Sequence, residues 1–286
     1  MSLRQLFLAK PELGGALPYA LIILTLCTIG LALFGEGTDA YWGMRLVGTF
    51  NDPNQMSYWL LCALVGSFLL KNRPAWFSPY LGIVLVLLVF VIAMLAGSRG
   101  AMIATLVLML SNLWWVADAL DADQRKRLSR AKIVIYLVGV AALMLLLLGL
   151  LYEFHTAVRV ALDDLINRAT RTDYIGQLAI RGYTRLYEFP QYLLFGAGEG
   201  QYGRFTAGVF EIHSSWAAPL FYYGVIGFGL IYGFFYQLIK GRLRGWQLLA
   251  ISAPFVYGLF TYGLRTPMFW IMLAVIYTQR CSERMK

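Results

Sequence analysis

Charge is scarce in this chain. Only 14% of its 286 residues are Asp, Glu, Lys or Arg, where a soluble domain carries roughly 25%. Hydrophobic residues make up 59% of the sequence, clustered in long runs, and the mean hydropathy is +0.64. That pattern excludes an ordinary water-soluble core. Cysteine is scarce too: Cys27 and Cys62 lie in apolar runs and Cys281 in the tail. Nothing in their spacing suggests a ligand set or a disulfide framework, so neither a metal centre nor any other cofactor is expected. Histidine is limited to His155 and His213, so any imidazole chemistry rests on one of two side chains. No internal repeat is visible.

The net charge is +9. In a soluble protein that would suggest nucleic acid. Here the cations sit between apolar runs, where the positive-inside rule puts them, and no nucleic-acid partner is expected. A membrane-crossing helix needs about 20 apolar residues. The runs predict an all-α, polytopic transmembrane bundle of about eight spans, at 15–34, 55–70, 79–96, 100–118, 133–152, 214–239, 246–263 and 267–280. The second is short and starts in polar residues, which fits a partly re-entrant segment. Arg4 and Lys10 precede the first, as in a signal peptide, but Leu17 to Phe34 is longer than a signal core and reads as a retained span. The chain, 1–286, reads as a single integral membrane domain.

Alternate loops hold Lys71 and Arg73, then Arg125, Lys126, Arg127, Arg130 and Lys132, then Lys240, Arg242 and Arg244, then Arg280, Arg284 and Lys286. These are expected in the cytoplasm with both termini. The loops 35–54, 97–99, 153–213 and 264–266 then lie outside. Every lysine falls on the inner side. The outer basic residues are all arginine: Arg45, Arg99, Arg159, Arg168, Arg171, Arg181, Arg185, Arg204 and Arg265. A guanidinium binds phosphate bidentately and keeps its charge when partly desolvated. Snorkelling or salt-bridged arginines would give the same count. Arg99 and Arg265 stand out because each occupies a tight turn between apolar helices, where an idle charge is costly.

Three outer motifs carry chemistry. Asn51-Asp52-Pro53-Asn54 precedes the second run. It reads either as a plain helix cap or as a polar lip whose helix-terminal N–H groups and side-chain amides hold an anion or sugar. Gly97-Ser98-Arg99-Gly100 forms a tight hairpin. The 153–213 loop is too long for an idle connector. From Thr156 to Leu186 its spacing suggests amphipathic helices at the interface. Phe195-Gly196-Ala197-Gly198-Glu199-Gly200 is a backbone turn rather than a nucleotide fingerprint, since no strand–turn–helix context surrounds it. Glu211-Ile212-His213-Ser214 leads into the next run. A histidine at a helix N-terminus tends to be neutral, hence able to act as base. Either Glu199 or Glu211 could orient it.

Taken in order, these motifs resemble the O-antigen ligase and O-antigen polymerase superfamily of bacterial membrane proteins. The family's Asn-Pro-Asn segment is similar to Asn51-Asp52-Pro53-Asn54, and its Gly-Ser-Arg-Gly hairpin to Gly97-Ser98-Arg99-Gly100. Its loop arginine, Phe-Gly-x-Gly turn and helix-starting histidine resemble Arg181, Phe195 to Gly198, and His213. The likeness runs over roughly residues 45 to 238. The family usually has Asn where Ser214 stands, several arginines compete for the loop position, and members usually have more spans.

The resemblance implies a metal-independent glycosyltransferase of the bacterial inner membrane. Its donor would be a glycan on undecaprenyl diphosphate. Its acceptor would be a lipid A–core sugar or another lipid-linked glycan, in lipopolysaccharide or exopolysaccharide synthesis. Arg99, Arg181 and His213 are the expected catalytic residues. Arg265, Glu199, Glu211, Asn51 and Asn54 are the expected substrate-binding ones. A transporter of lipid-linked glycan and a non-catalytic membrane scaffold are the alternatives. A transporter would place polar residues along several spans, and the runs hold few.

Overall fold

The computed structural model describes residues 11–34, 36–39, 41, 45–70, 73–119, 174–200, 202–205, 211–241, 243 and 245–281, with single residues and pairs between 139 and 170. The expected span at 133–152, most of the first part of the outer loop, Arg168, Arg171 and the basic cluster at 125–132 lie outside the described residues.

The described residues are all-α but for one ribbon. A 3-10 turn at Pro11–Ala16 leads into α1 (Leu17–Leu33). Two short strands, β1 (Thr38–Asp39) and β2 (Arg45–Leu46), pair antiparallel. Then come α2 (Pro53–Leu69), α3 (Pro79–Leu95) and α4 (Arg99–Ala119). The 153–213 loop contributes α5 (Tyr174–Ile180) and the single turn α6 (Arg185–Glu188). The chain ends with α7 (Ala217–Ile239), α8 (Trp246–Tyr257) and α9 (Pro267–Cys281).

Among the described residues, three helices are long and apolar enough to cross a membrane: Gly14–Leu33, Arg99–Ala119 and Ala217–Ile239. Pro79–Leu95, Trp246–Tyr257 and Pro267–Tyr277 are shorter apolar helices. The α2 helix is the hub. Met56, Leu60, Leu61, Cys62, Leu64, Val65 and Phe68 are fully buried, among α1, α3, α8 and α9. Lipid tails are as apolar as leucine, so such packing rests on close van der Waals fit.

Each helix starts and stops for a local reason. Asp52 caps α2, its Oδ1 accepting from the backbone N–H of Asn54 at 2.6 Å and of Gln55 at 3.1 Å, with Pro53 in the first turn. Ser78 caps α3 in the same way, ahead of Pro79. The end of α3 is a Schellman turn: Ser98 N–H reaches Ala93 C=O, and Gly97 N–H reaches Met94 C=O. Gly97 supplies the required positive φ of 59°.

The start of α2, the end of α3, the start of α4 and the end of α8 meet, so the bundle has two distinct ends. One end gathers the 45–54, 96–99 and 257–266 segments, joined through Arg45 to Ala96, Ser98 to Asn54, and Ser98 to Tyr257. The other is aromatic. There Trp115 stacks on Trp246 at 5.1 Å, and Arg73 lies over the Trp115 ring at 4.2 Å.

The α7 helix breaks at Gly224, where φ is 67° and ψ is −179°. The break frees backbone groups, and the Gly-rich turn takes them up. Ala197 N–H donates to Phe221 C=O at 2.8 Å, Gly198 N–H to Tyr222 C=O at 2.9 Å, and Val225 N–H to Leu193 C=O at 2.8 Å. A Cβ at Gly224 would collide with the Leu194 carbonyl, and one at Gly196 with the Tyr222 carbonyl. Phe221, Tyr222, Ile212 and Tyr262 form a second small core beneath this turn.

Such a backbone conformation costs a side-chain-bearing residue about 1–3 kcal/mol, before any collision. Gly224→Ala is expected to lower the melting temperature of the detergent-purified chain and its folded yield. Gly229→Ala, in open space on the same helix, serves as a near-neutral control. Equal melting temperatures for the two variants would contradict this account of the break.

Candidate functional site

A cleft of about 430 Å³ opens at the end of the bundle that carries the three motifs. Phe50, Asp52, Asn54, Gln55, Tyr58 and Trp59 line it from the start of α2. Ile180, Arg181, Glu211 and His213 come from the outer loop. Phe260, Thr261, Tyr262, Arg265, Thr266 and Pro267 come from the α8–α9 turn. Arg181, Arg265, Glu211, His213 and Asn54 therefore share one cavity, although they span more than 200 residues of sequence.

The loop reaches the bundle by backbone pairing. His213 N–H donates to Arg181 C=O at 3.0 Å. Ser215 N–H donates to Gly258 C=O and Thr261 C=O, and Gly263 N–H donates to the Ser215 hydroxyl. The Ser214 hydroxyl donates to Gly258 C=O and accepts from the N–H groups of Trp216 and Ala217. Thus Ser214 caps α7, and His213 stands just outside the helix.

Arg181 is half-buried. Its Nη1 donates to Phe260 C=O at 2.6 Å, and its guanidinium lies 5.9 Å from the Phe260 ring centre. Burial pulls its pKa down, yet a guanidinium starts so high that it stays charged. Among the described residues no carboxylate pairs with it. Arg265 differs. Its Nη2 bonds Glu199 Oε1 at 2.8 Å and its Nη1 bonds Glu211. Glu199 also accepts from the Tyr223 hydroxyl at 2.6 Å. That hydroxyl, then Arg265, hold the Glu199 carboxyl below its ordinary range. Both arginines line the cleft, but Arg265 answers two carboxylates while Arg181 is held by a carbonyl and a ring face.

Glu211 Oε1 lies 3.6 Å from His213 Nδ1. His213 keeps about half its side-chain surface open to the cleft, with protein walls on the other side. Desolvation pushes its pKa below the ordinary value, Arg181 and Arg265 push the same way, and Glu211 and Asp52 oppose them. Burial and the nearby guanidinium groups thus favour the neutral imidazole.

The remaining expected site residues take other places. Glu199 lies beside the cleft and reaches it through Arg265. Arg99 starts α4, half-buried, near enough for its charge to bear on Arg181 but outside the lining. Asn51 is exposed and does not line the cavity. The N–H groups at the start of α2 are taken by Asp52, so that terminus is a plain cap rather than an anion site.

Sequence reasoning missed Arg45 and Tyr257. Arg45 is buried, donating from Nε to Ala96 C=O at 2.5 Å and from Nη2 to Asn54 Oδ1 at 3.4 Å. Tyr257 is buried at the end of α8, its hydroxyl 2.7 Å from Ser98 Oγ. An outer-loop arginine was a signal for the first. Nothing in an apolar run marks the second.

No family model matches this sequence, and no curated protein or solved structure matches it.

The charges around His213 predict its titration. With His155 replaced by Gln, the remaining imidazole should titrate below pH 6.5, followed by NMR on histidine-labelled protein. Glu211→Gln removes an opposing negative charge and lowers the midpoint further. Arg265→Gln removes a positive charge and raises it. A wild-type midpoint above 6.5, or shifts of opposite sign, would contradict the arrangement.

Proposed function

We propose that this chain is a glycosyltransferase of the bacterial inner membrane. It moves a glycan from undecaprenyl diphosphate to a sugar hydroxyl on lipid A–core or on another lipid-linked glycan, at the outer face. The single observation that carries the reading is the shared cleft: an arginine with no carboxylate partner among the described residues, Arg181, in the same cleft as an imidazole, His213, that burial and nearby cations push towards the neutral form and that has a carboxylate beside it.

The chemistry follows from those groups. The bond between the anomeric carbon and the diphosphate oxygen breaks, and its electron pair leaves with the diphosphate. A fixed guanidinium stabilises that developing charge without reorganising. Arg181 takes this role, and Arg99 adds positive potential behind it. The acceptor oxygen bonds to the anomeric carbon, and its proton passes to His213. Glu211, near Nδ1, stabilises the imidazolium that forms. Arg265 holds Glu211 and Glu199 in place.

The membrane setting belongs to the same reading. Eight spans with both termini in the cytoplasm put the Lys-bearing loops inside and the cleft outside. The aromatic end with Arg73, Trp115 and Trp246 then sits at the inner interface. Transport is less well supported, because the charged groups described gather at the ends of the helices rather than along them.

In a host lacking its own ligase or polymerase, the wild-type gene should restore polymer on the cell surface. Arg181→Ala and His213→Ala are each expected to cut transfer by about 10²–10³, with unchanged membrane levels. Arg99→Ala should cost less. Gel analysis of surface polysaccharide reads the result, and wild-type polymer from both main variants would refute the assignment.

A further inference from the structure

Asn54 offers the cleft a fixed pair of hydrogen-bond donors. Its Oδ1 faces Arg45 Nη2 at 3.4 Å and the Ser98 hydroxyl at 3.1 Å. A guanidinium has only donors, so the amide atom beside Arg45 must be oxygen. The alternative flip would set an NH₂ group against an NH₂ group. Arg45 is itself held, buried, by its bond to Ala96 C=O. Ser98 and Tyr257 close the other side at 2.7 Å, and the Tyr257 hydroxyl also approaches Asn54 C=O at 3.2 Å. With the acceptor side of the amide occupied, its NH₂ is the part left for the cleft, which Asn54 lines.

We propose that Asn54 binds a phosphate oxygen of a diphosphate through this NH₂, and that Arg45 is the positioning residue that sets the amide's polarity. The assignment rests on the glycosyl-transfer reading and names a second diphosphate contact beside Arg181. An amide suits this place. Asp52 and Glu211 also line the cleft, and a fixed neutral donor favours the oxyanion over water without adding a charge for them to pair with.

Asn54→Asp tests the polarity directly. One carboxylate oxygen can still accept from Arg45 and Ser98, so the joint stays closed. The other then presents an acceptor and a negative charge to the ligand. The purified full-length chain is titrated with inorganic pyrophosphate and with a polyprenyl diphosphate in the same detergent, reading the rise in melting temperature. The wild type is expected to respond to the polyprenyl form and more weakly to pyrophosphate. Asn54→Asp should melt like the wild type without ligand and bind at least tenfold more weakly. Arg45→Lys, still donor-only, should keep most of the affinity, and Arg45→Met should lose several-fold. Wild-type affinity in Asn54→Asp, with Arg181→Ala impaired, would overturn the Asn54 assignment alone. A wild type that binds neither probe would overturn the diphosphate reading itself.

Discussion

A helix that breaks among packed neighbours must find new partners for the backbone groups it frees. The break at Gly224 meets that demand with the 193–198 segment, through three backbone hydrogen bonds. Much of the cleft's rim follows from this. The docked turn carries Glu199 to Tyr223 and Arg265. Arg265 in turn holds Glu211, and Glu211 stands beside His213. An ion pair at a half-exposed site such as Arg265 is worth only about 0–1 kcal/mol by itself. The arrangement therefore depends on backbone pairing, and the charges refine it.

Two kinds of cation emerge on one surface. Arg265 is matched by carboxylates and acts within the protein. Arg181 is anchored through a carbonyl and a ring face, which fix its position without cancelling its charge. Preorganised charge of that sort is what a leaving diphosphate needs. Arg45 is a third case, a buried cation whose geometry dictates the orientation of a neighbouring amide. Arg45 and Arg265 each engage two partners through two nitrogens of one planar fork, which a lysine point charge does not offer.

The apolar runs made most helices legible. The run expected at 79–96 is helical over Pro79–Leu95, and that at 100–118 over Arg99–Ala119. The hairpin glycine at 97 and the cap at Asp52 show in the sequence because local chemistry decides them. The run expected at 246–263 stops at Tyr257, because its last residues turn outward to receive Ser215 and Arg181. That is a long-range cause, invisible in a local window. The same holds for Gly224, one of several glycines in its run, whose break is fixed by contact with a segment about 30 residues earlier. His213, Arg181 and Arg265 were legible as rare polar residues among apolar ones. Their partners were not: the choice of Glu211 over Glu199 for His213, and the joint of Arg45, Asn54, Ser98 and Tyr257, exist only once the helix ends meet.

The most direct measurement is transfer by the purified chain alone, reconstituted in liposomes with a polyprenyl diphosphate-linked glycan and a sugar acceptor. The account predicts a glycosylated acceptor and an equal amount of released polyprenyl diphosphate, appearing with wild-type protein and not with a chain lacking both the Arg181 and His213 side chains. A folded wild-type chain that releases no diphosphate, or a double variant that releases it at the same rate, would contradict the central claim.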